Sequence, residues 1–274
     1  MAVEMGARER VRAIGRAVRD EAAALAVDWA ARDAAALEAP SACAGWAVRD
    51  VAAHLTQGAE RAVIVVQSAL AGNEPPPLSP ENRVARMREI REYSGPELAA
   101  SFQRDVGAVF DLLEGADETA LERVVQVPAG PHTLLNFGTQ RLSEATLHGW
   151  DIRKPSDPEA TLRPESAALF VDYLLGRMPR MAHTDEAPDA AGTYRLDLQG
   201  PGGGPVTLTV DPDGASATRG APAQADVALA LPVETFIRLA WGRLDLASAI
   251  ERGNVRVEGD RQRALRLQEL FPGH

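Results

Sequence analysis

LSEATLHGWDIR, residues 142–153, is the stretch whose reading decides the chain. It sets Glu144 and His148 four residues apart within a segment of helical patterning. Four residues is slightly more than one helical turn, so both side chains project from the same face. A carboxylate and an imidazole placed in this way can share one divalent cation. Far upstream, WAVRDVAAHL (residues 46–55) supplies His54 on a second amphipathic segment. If those two faces pack together, the site is His, Glu, His. Glu and His at this spacing also occur on solvated helices, so the pair alone does not define a site.

Working outward, the spacing predicts a helix from about Thr133 to Arg153, ended by Pro155 and Pro158. From about residue 8 to 38, Val11, Ile14, Val18, Leu25, Trp29 and Leu37 recur at helical spacing. A second helix is expected from Ala47 to Ala71, with Val48, Val51, Leu55, Ala62 and Val66 facing a core. Ser94, Pro96 and Glu97 have the character of a helix start. Leu98, Phe102, Val106, Val109, Phe110 and Leu113 then carry a third long helix to Gly115. GNEPPPLSPEN (72–82) reads as a surface loop and VVQVPAG (124–130) as a turn region. Four long helices with ligands pointing inward is an arrangement that four-helix bundles use repeatedly.

Beyond a further helix over residues 164–181 the pattern changes. YRLDLQG and PVTLTVDPDG alternate with period two and are punctuated by Gly and Asp-Gly, which predicts strands. ADVALALP and NVRVEG read as further strands, and Val233 to Trp241 and Arg261 to Leu270 as helices. The fold class expected is therefore two-domain, with an all-α helical bundle over 1–182 and an α+β domain over 193–274. The polar stretch at 182–192 is the expected boundary.

A net charge of -10 over 274 residues argues against sequence-independent nucleic-acid binding, which needs surplus Lys and Arg. One cysteine, Cys43, precludes an intramolecular disulfide framework and fits a reducing cytoplasm. The first twenty residues mix both charge signs without an apolar core, so no secretory signal is expected. No apolar run reaches the roughly 18 residues of a membrane span.

The W-x-V-x-D-V-x-A-H-L stretch at Trp46–Leu55, the E-x-x-x-H-G-W-D-I stretch at Glu144–Ile152 and the later α+β module carry a family pattern. Together they resemble the mycothiol-dependent maleylpyruvate isomerase family. That family lies within the DinB-like metal-binding four-helix bundles and has a C-terminal module similar to the sterol carrier protein fold. The resemblance implies that His54, Glu144 and His148 bind a divalent metal, usually zinc. One departure is visible: Ala47 stands where the family commonly has Ser or Thr, so one cap hydrogen bond is lost while Asp50 remains. Such a loss typically costs about 1 kcal/mol.

Three protein ligands leave a four-coordinate zinc an open position, the signature of a catalytic site, where a thiol loses its proton readily. By resemblance the thiol is mycothiol, a low-molecular-weight partner. Its thiolate adds to an activated double bond of a small electrophile such as maleylpyruvate, bond rotation follows, and elimination returns the thiol. The same first step can end instead in thiol transfer. A dicarboxylate-like substrate calls for a fixed guanidinium. Arg243, and after it Arg238, in ETFIRLAWGRLD are the candidates, although on sequence alone such arginines more often line a solvated helix face. Two rival readings are a related enzyme with a changed substrate and a lipid-binding protein using the sterol-carrier-like domain.

Secondary expectations attach to several side chains. Trp46 and Trp150 read as packing residues at the base of the site. Asp50 reads as a carboxylate serving a helix start, with a bond to a ligand His as its alternative. Asp151 is open between supporting His148 and a structural role. His132 and His183 fall near turns and read as solvated, and Cys43 as a quiet small residue.

Overall fold

The computed structural model describes residues 5–128 and 130–273. It divides into two compact units, Met1–Leu162 and Arg163–His274.

The first unit is built on four long helices: α1 (Ala7–Ala31), α3 (Val48–Leu70), α5 (Gly95–Gly115) and α7 (Leu134–Arg153). Shorter helices α2 (Ala34–Leu37), α4 (Pro80–Arg91) and α6 (Glu118–Leu121) lie between them. Helix α1 packs on α5 and α7, and α3 packs on the same two, which closes the bundle. Its interior is the expected apolar set, with Ile14, Val18, Trp29, Val51, Val66, Leu98, Phe110 and Leu113 buried. At the start of α5 the chain comes so near α1 that a Cβ on Gly95 would stand 2.0 Å from the Trp29 carbonyl oxygen.

Three features depart from the sequence reading. The first helix stops at Ala31, and Asp33 caps a separate short turn by accepting from Ala36 N–H. The expected loop over 72–82 already contains the start of α4: Ser79 caps it and Pro80 occupies the first turn, where a missing N–H costs nothing. Helix α4 escapes periodicity because Ile90 is its one buried residue. The turn region at 124–130 is part of a hairpin, β1 (Val124–Val127) with β2 (Gly130–Thr133), paired Val124 to Thr133 and Val127 to Gly130. On β2, His132 is buried rather than solvated, with Nδ1 2.9 Å from the Gly130 carbonyl oxygen. In so short a strand one inward residue sets the register, and here that residue is the histidine.

The second unit is α+β, as its alternating pattern predicts. Helix α8 (Pro164–Met181) opens it and packs on β5 (Gly214–Arg219) and α9 (Val233–Ala240). It therefore groups with the sheet, whereas the sequence reading assigned it to the bundle. The remaining strands are β3 (Gly192–Gln199), β4 (Gly204–Asp211), β6 (Val227–Pro232) and β7 (Arg256–Gly259). They form one sheet in the order β5-β4-β3-β6-β7, parallel between β3 and β6 and antiparallel elsewhere. Alternation puts Tyr194, Leu196, Leu198, Val206, Leu208, Val210, Leu229 and Leu231 into the core. Helices α10 (Leu246–Glu251) and α11 (Arg261–Leu270) complete the unit. Strand β5, reading GASATR, carried too little apolar alternation to be expected. Among the described residues no helix is long and apolar enough to cross a membrane.

Replacing Gly95 by alanine should destabilise the first unit by about 1–3 kcal/mol, because a backbone carbonyl must move to admit the methyl group. Chemical denaturation measures this, and an unchanged unfolding midpoint would contradict the close packing of α1 on α5.

Candidate metal centre

The seam between α3 and α7 brings the three sequence-predicted ligands together. His54 Nε2 lies 3.1 Å from Glu144 Oε2, and His148 Nε2 lies 3.7 Å from the same oxygen. One donor atom from each side chain falls within 4.8 Å of the other two. A tetrahedral zinc with bonds of about 2.0–2.1 Å separates its donor atoms by about 3.3–3.4 Å. The spacings 3.1 and 3.7 Å from the Glu144 oxygen bracket that value, and the donor set suits such an ion in chemistry. His54 is 38% exposed while His148 and Glu144 are 14% and 18% exposed, which opens the cluster to solvent on the His54 side.

Each ligand is held by identifiable forces. Burial pushes the Glu144 carboxyl up, but the hydrogen bond from His54 and the attraction of Arg141, His148 and His54 outweigh it. The carboxyl is held well below the usual carboxylate range, so it is an anion before any cation arrives. On the far side of His148, Nδ1 lies 2.9 Å from Oδ2 of Asp151, whose side chain is fully buried. With Asp151 ionised and the His148 ring neutral, Nδ1 carries the proton and donates, which leaves the Nε2 lone pair directed at the cluster. Asp151 is thus placed where it can orient His148.

The loop before α3 is tied to the same helix end. Ala42 N–H donates to the Asp151 carbonyl at 2.8 Å, and Trp46 N–H donates to the Cys43 carbonyl across a turn in which Gly45 has φ of 77°. A φ in that region favours glycine. The turn sets the Trp46 ring against both imidazoles, with centroids 5.4 Å from His54 and 6.4 Å from His148. The Trp46 ring thus packs beside both candidate ligand rings. Trp150 is buried and its Nε1 donates to the Ala160 carbonyl.

Asp50 takes the first of its two expected roles. It accepts from Ala47 N–H at 2.9 Å, the half of the capping box that survives without a Ser or Thr, and pairs with Arg91 at 2.8 Å. Cys43 is buried, and its sulfur lies with donor atoms of His148 and Asp151 in a second group within 4.8 Å. Sequence reasoning also passed over Arg141, whose position three residues before Glu144 was the available signal.

The two arginines proposed from sequence lie in the second unit. Arg238 is engaged in a two-pronged pair with Glu234, both bonds 2.9 Å, and Arg243 Nη1 donates to the Trp241 carbonyl at 2.8 Å. His183 is half-exposed and contacts Glu186.

A helical bundle presenting two imidazoles and a carboxylate to one point, followed by an α+β unit, defines a class of two-domain bundle proteins with a candidate metal site. Comparison with known proteins gives the family. The mycothiol maleylpyruvate isomerase N-terminal domain family matches residues 3–153, and the SCP-2 sterol transfer family matches residues 172–272. The chain belongs to the mycothiol maleylpyruvate isomerase N-terminal domain family, with an SCP2-like second domain. Two crystal structures of the mycothiol-dependent maleylpyruvate isomerase, the enzyme itself and a histidine-to-alanine mutant, match with TM-score 0.63. Each is 17% identical, over 92% of this chain and 93% of that chain, a likeness that shows the fold. No curated protein matches the chain.

Changing Asp151 to Asn removes the anion behind His148 and favours the wrong tautomer. Zinc affinity, measured by competition with a chromogenic chelator, should fall about 10–100-fold. Wild-type affinity in that variant would show that Asp151 does not orient the ligand.

Proposed function

We propose that the chain is a metal-dependent enzyme of thiol chemistry, an isomerase or thiol transferase acting on a small activated electrophile. The observation that carries this reading is the convergence of His54, Glu144 and His148 in a bundle of this family. Zinc is the metal that the donor set suits, and mycothiol is the thiol that family membership suggests. A divalent cation held there would supply Lewis acidity at an open position and so favour the thiolate form of a thiol. The chain's own residues do the rest. Glu144 offers a carboxylate that is already ionised, Asp151 keeps the His148 proton on Nδ1, and Trp46 shields one side of the imidazoles from water. A single cysteine and an acidic composition fit work in a reducing cytoplasm.

The ligand set is tested by metal analysis of the purified protein. The wild type should hold about one zinc per chain, and His54→Ala and His148→Ala should each lose it. A variant that retains a full equivalent removes that residue from the site.

Arg243 of the second unit is proposed as a further contact for a substrate carboxylate. An Arg243→Met variant should keep its zinc and raise KM for maleylpyruvate about tenfold or more. An unchanged KM would exclude that role.

A second reading has its own support in the match of residues 172–272 to the SCP-2 sterol transfer family. In that reading the second unit carries an apolar ligand. Native mass spectrometry separates the two: a stoichiometric extractable lipid with no metal favours the carrier.

A further inference from the structure

Arg141 is a cation that the bundle leaves without a matching anion. It stands on the same face of α7 as Glu144 and His148, three and seven residues before them. Its Nε is buried and makes no hydrogen bond, and the guanidinium lies over the Phe137 ring, 5.4 Å from the centroid. Among the described residues no carboxylate comes within ion-pair distance of it, although it attracts Glu144 from farther off. Several other arginines of this unit are ion-paired, among them Arg19 with Asp111 and Glu114, Arg32 with Asp28, and Arg86 with Glu60 and Glu89, whereas Arg61, Arg123 and Arg153 donate to backbone carbonyls.

The partner helix leaves space for this group. A Cβ on Gly58 would stand 2.9 Å from Arg141 Nη1, so the guanidinium rests against bare backbone there. Gly58 is one turn beyond His54 and on the same face of α3. Arg141 therefore sits on the same α3–α7 seam as the three candidate ligands. A recess lined by Leu55, Ala59, Phe102 and Val106 reaches Arg141 and Glu144 together.

Charge decides what this arrangement suits. Without a metal, Arg141 helps to compensate Glu144. With a dication bound, the charge of Glu144 would be matched by the metal and that of Arg141 left over. A partly buried guanidinium with an unused donor at its buried Nε and apolar walls favours a small anion with planar oxygens.

We propose that Arg141 is a carboxylate-binding residue of this centre, holding a small organic acid whose reacting end faces the His54, Glu144 and His148 cluster. The proposal rests on the metal-site reading for the second half of that statement, while the first half concerns Arg141 alone. Arg141 then acts as a positioning residue, and it selects acids over neutral compounds of the same shape.

The test uses the full chain and maleate, a small dicarboxylate, titrated by calorimetry into zinc-loaded and metal-free protein, with zinc content measured on every sample. Arg141→Met should weaken maleate binding at least about tenfold with zinc content unchanged. Gly58→Ala keeps the guanidinium but pushes it from its seat, and should weaken binding in the same direction. If Arg141→Met does not fold, as judged by circular dichroism, Gly58→Ala decides. Wild-type protein that does not bind maleate, or a folded variant that binds it as the wild type does, overturns the proposal and leaves the metal reading intact. A wild type that holds no zinc, but loses maleate binding on Arg141→Met, instead overturns the metal reading and keeps Arg141 as the anion site.

Discussion

Glu144 is an anion set between packed helices, and the neighbourhood of α3 and α7 is arranged around that fact. A carboxylate taken out of water must be compensated by donors or cations, or it will protonate. Here His54 donates to it from α3, and His148 and Arg141 attract it from its own helix. Two of these are imidazoles able to exchange a proton for a cation. The same contacts that make burial of Glu144 tolerable in the free protein are thus the ones a divalent ion would take over.

The site is further tied down by the loop that precedes α3. Its backbone bond from Ala42 to the Asp151 carbonyl links the entry of one ligand-bearing helix to the exit of the other. The Asp151 side chain fixes the ring of His148, and the Trp46 ring packs against both histidines. Orientation of the three candidate ligands is therefore a property of packing, not of those side chains alone. The loss of a Ser or Thr cap at Ala47 is contained because Asp50 still receives the Ala47 N–H and adds a pair with Arg91.

Much of this was legible in the sequence where long-range order follows from local periodicity. The four long helices and the i, i+4 pair of Glu144 and His148 could be read directly, since a helix repeats its face every turn. Helix α4 could not, because a helix that buries only Ile90 carries no stripe. Strand β5 could not, because Gly-Ala-Ser-Ala-Thr-Arg lacks alternation. His132 was misjudged since a four-residue strand leaves no pattern to say which side faces in. The pairing of Asp151 with His148, the approach of Cys43 and the seating of Arg141 on Gly58 depend on side-chain direction and helix separation. Spacing alone does not encode those.

The cluster offers two donor sets that share His148: His54 with Glu144 on one side, Cys43 with Asp151 on the other. X-ray absorption at the zinc edge of the zinc-loaded protein, free of added thiol, separates them directly. This account predicts nitrogen and oxygen neighbours at about 2.0–2.1 Å with the outer-shell scattering of two imidazoles. A sulfur neighbour at about 2.3 Å, with scattering from a single imidazole, would contradict it.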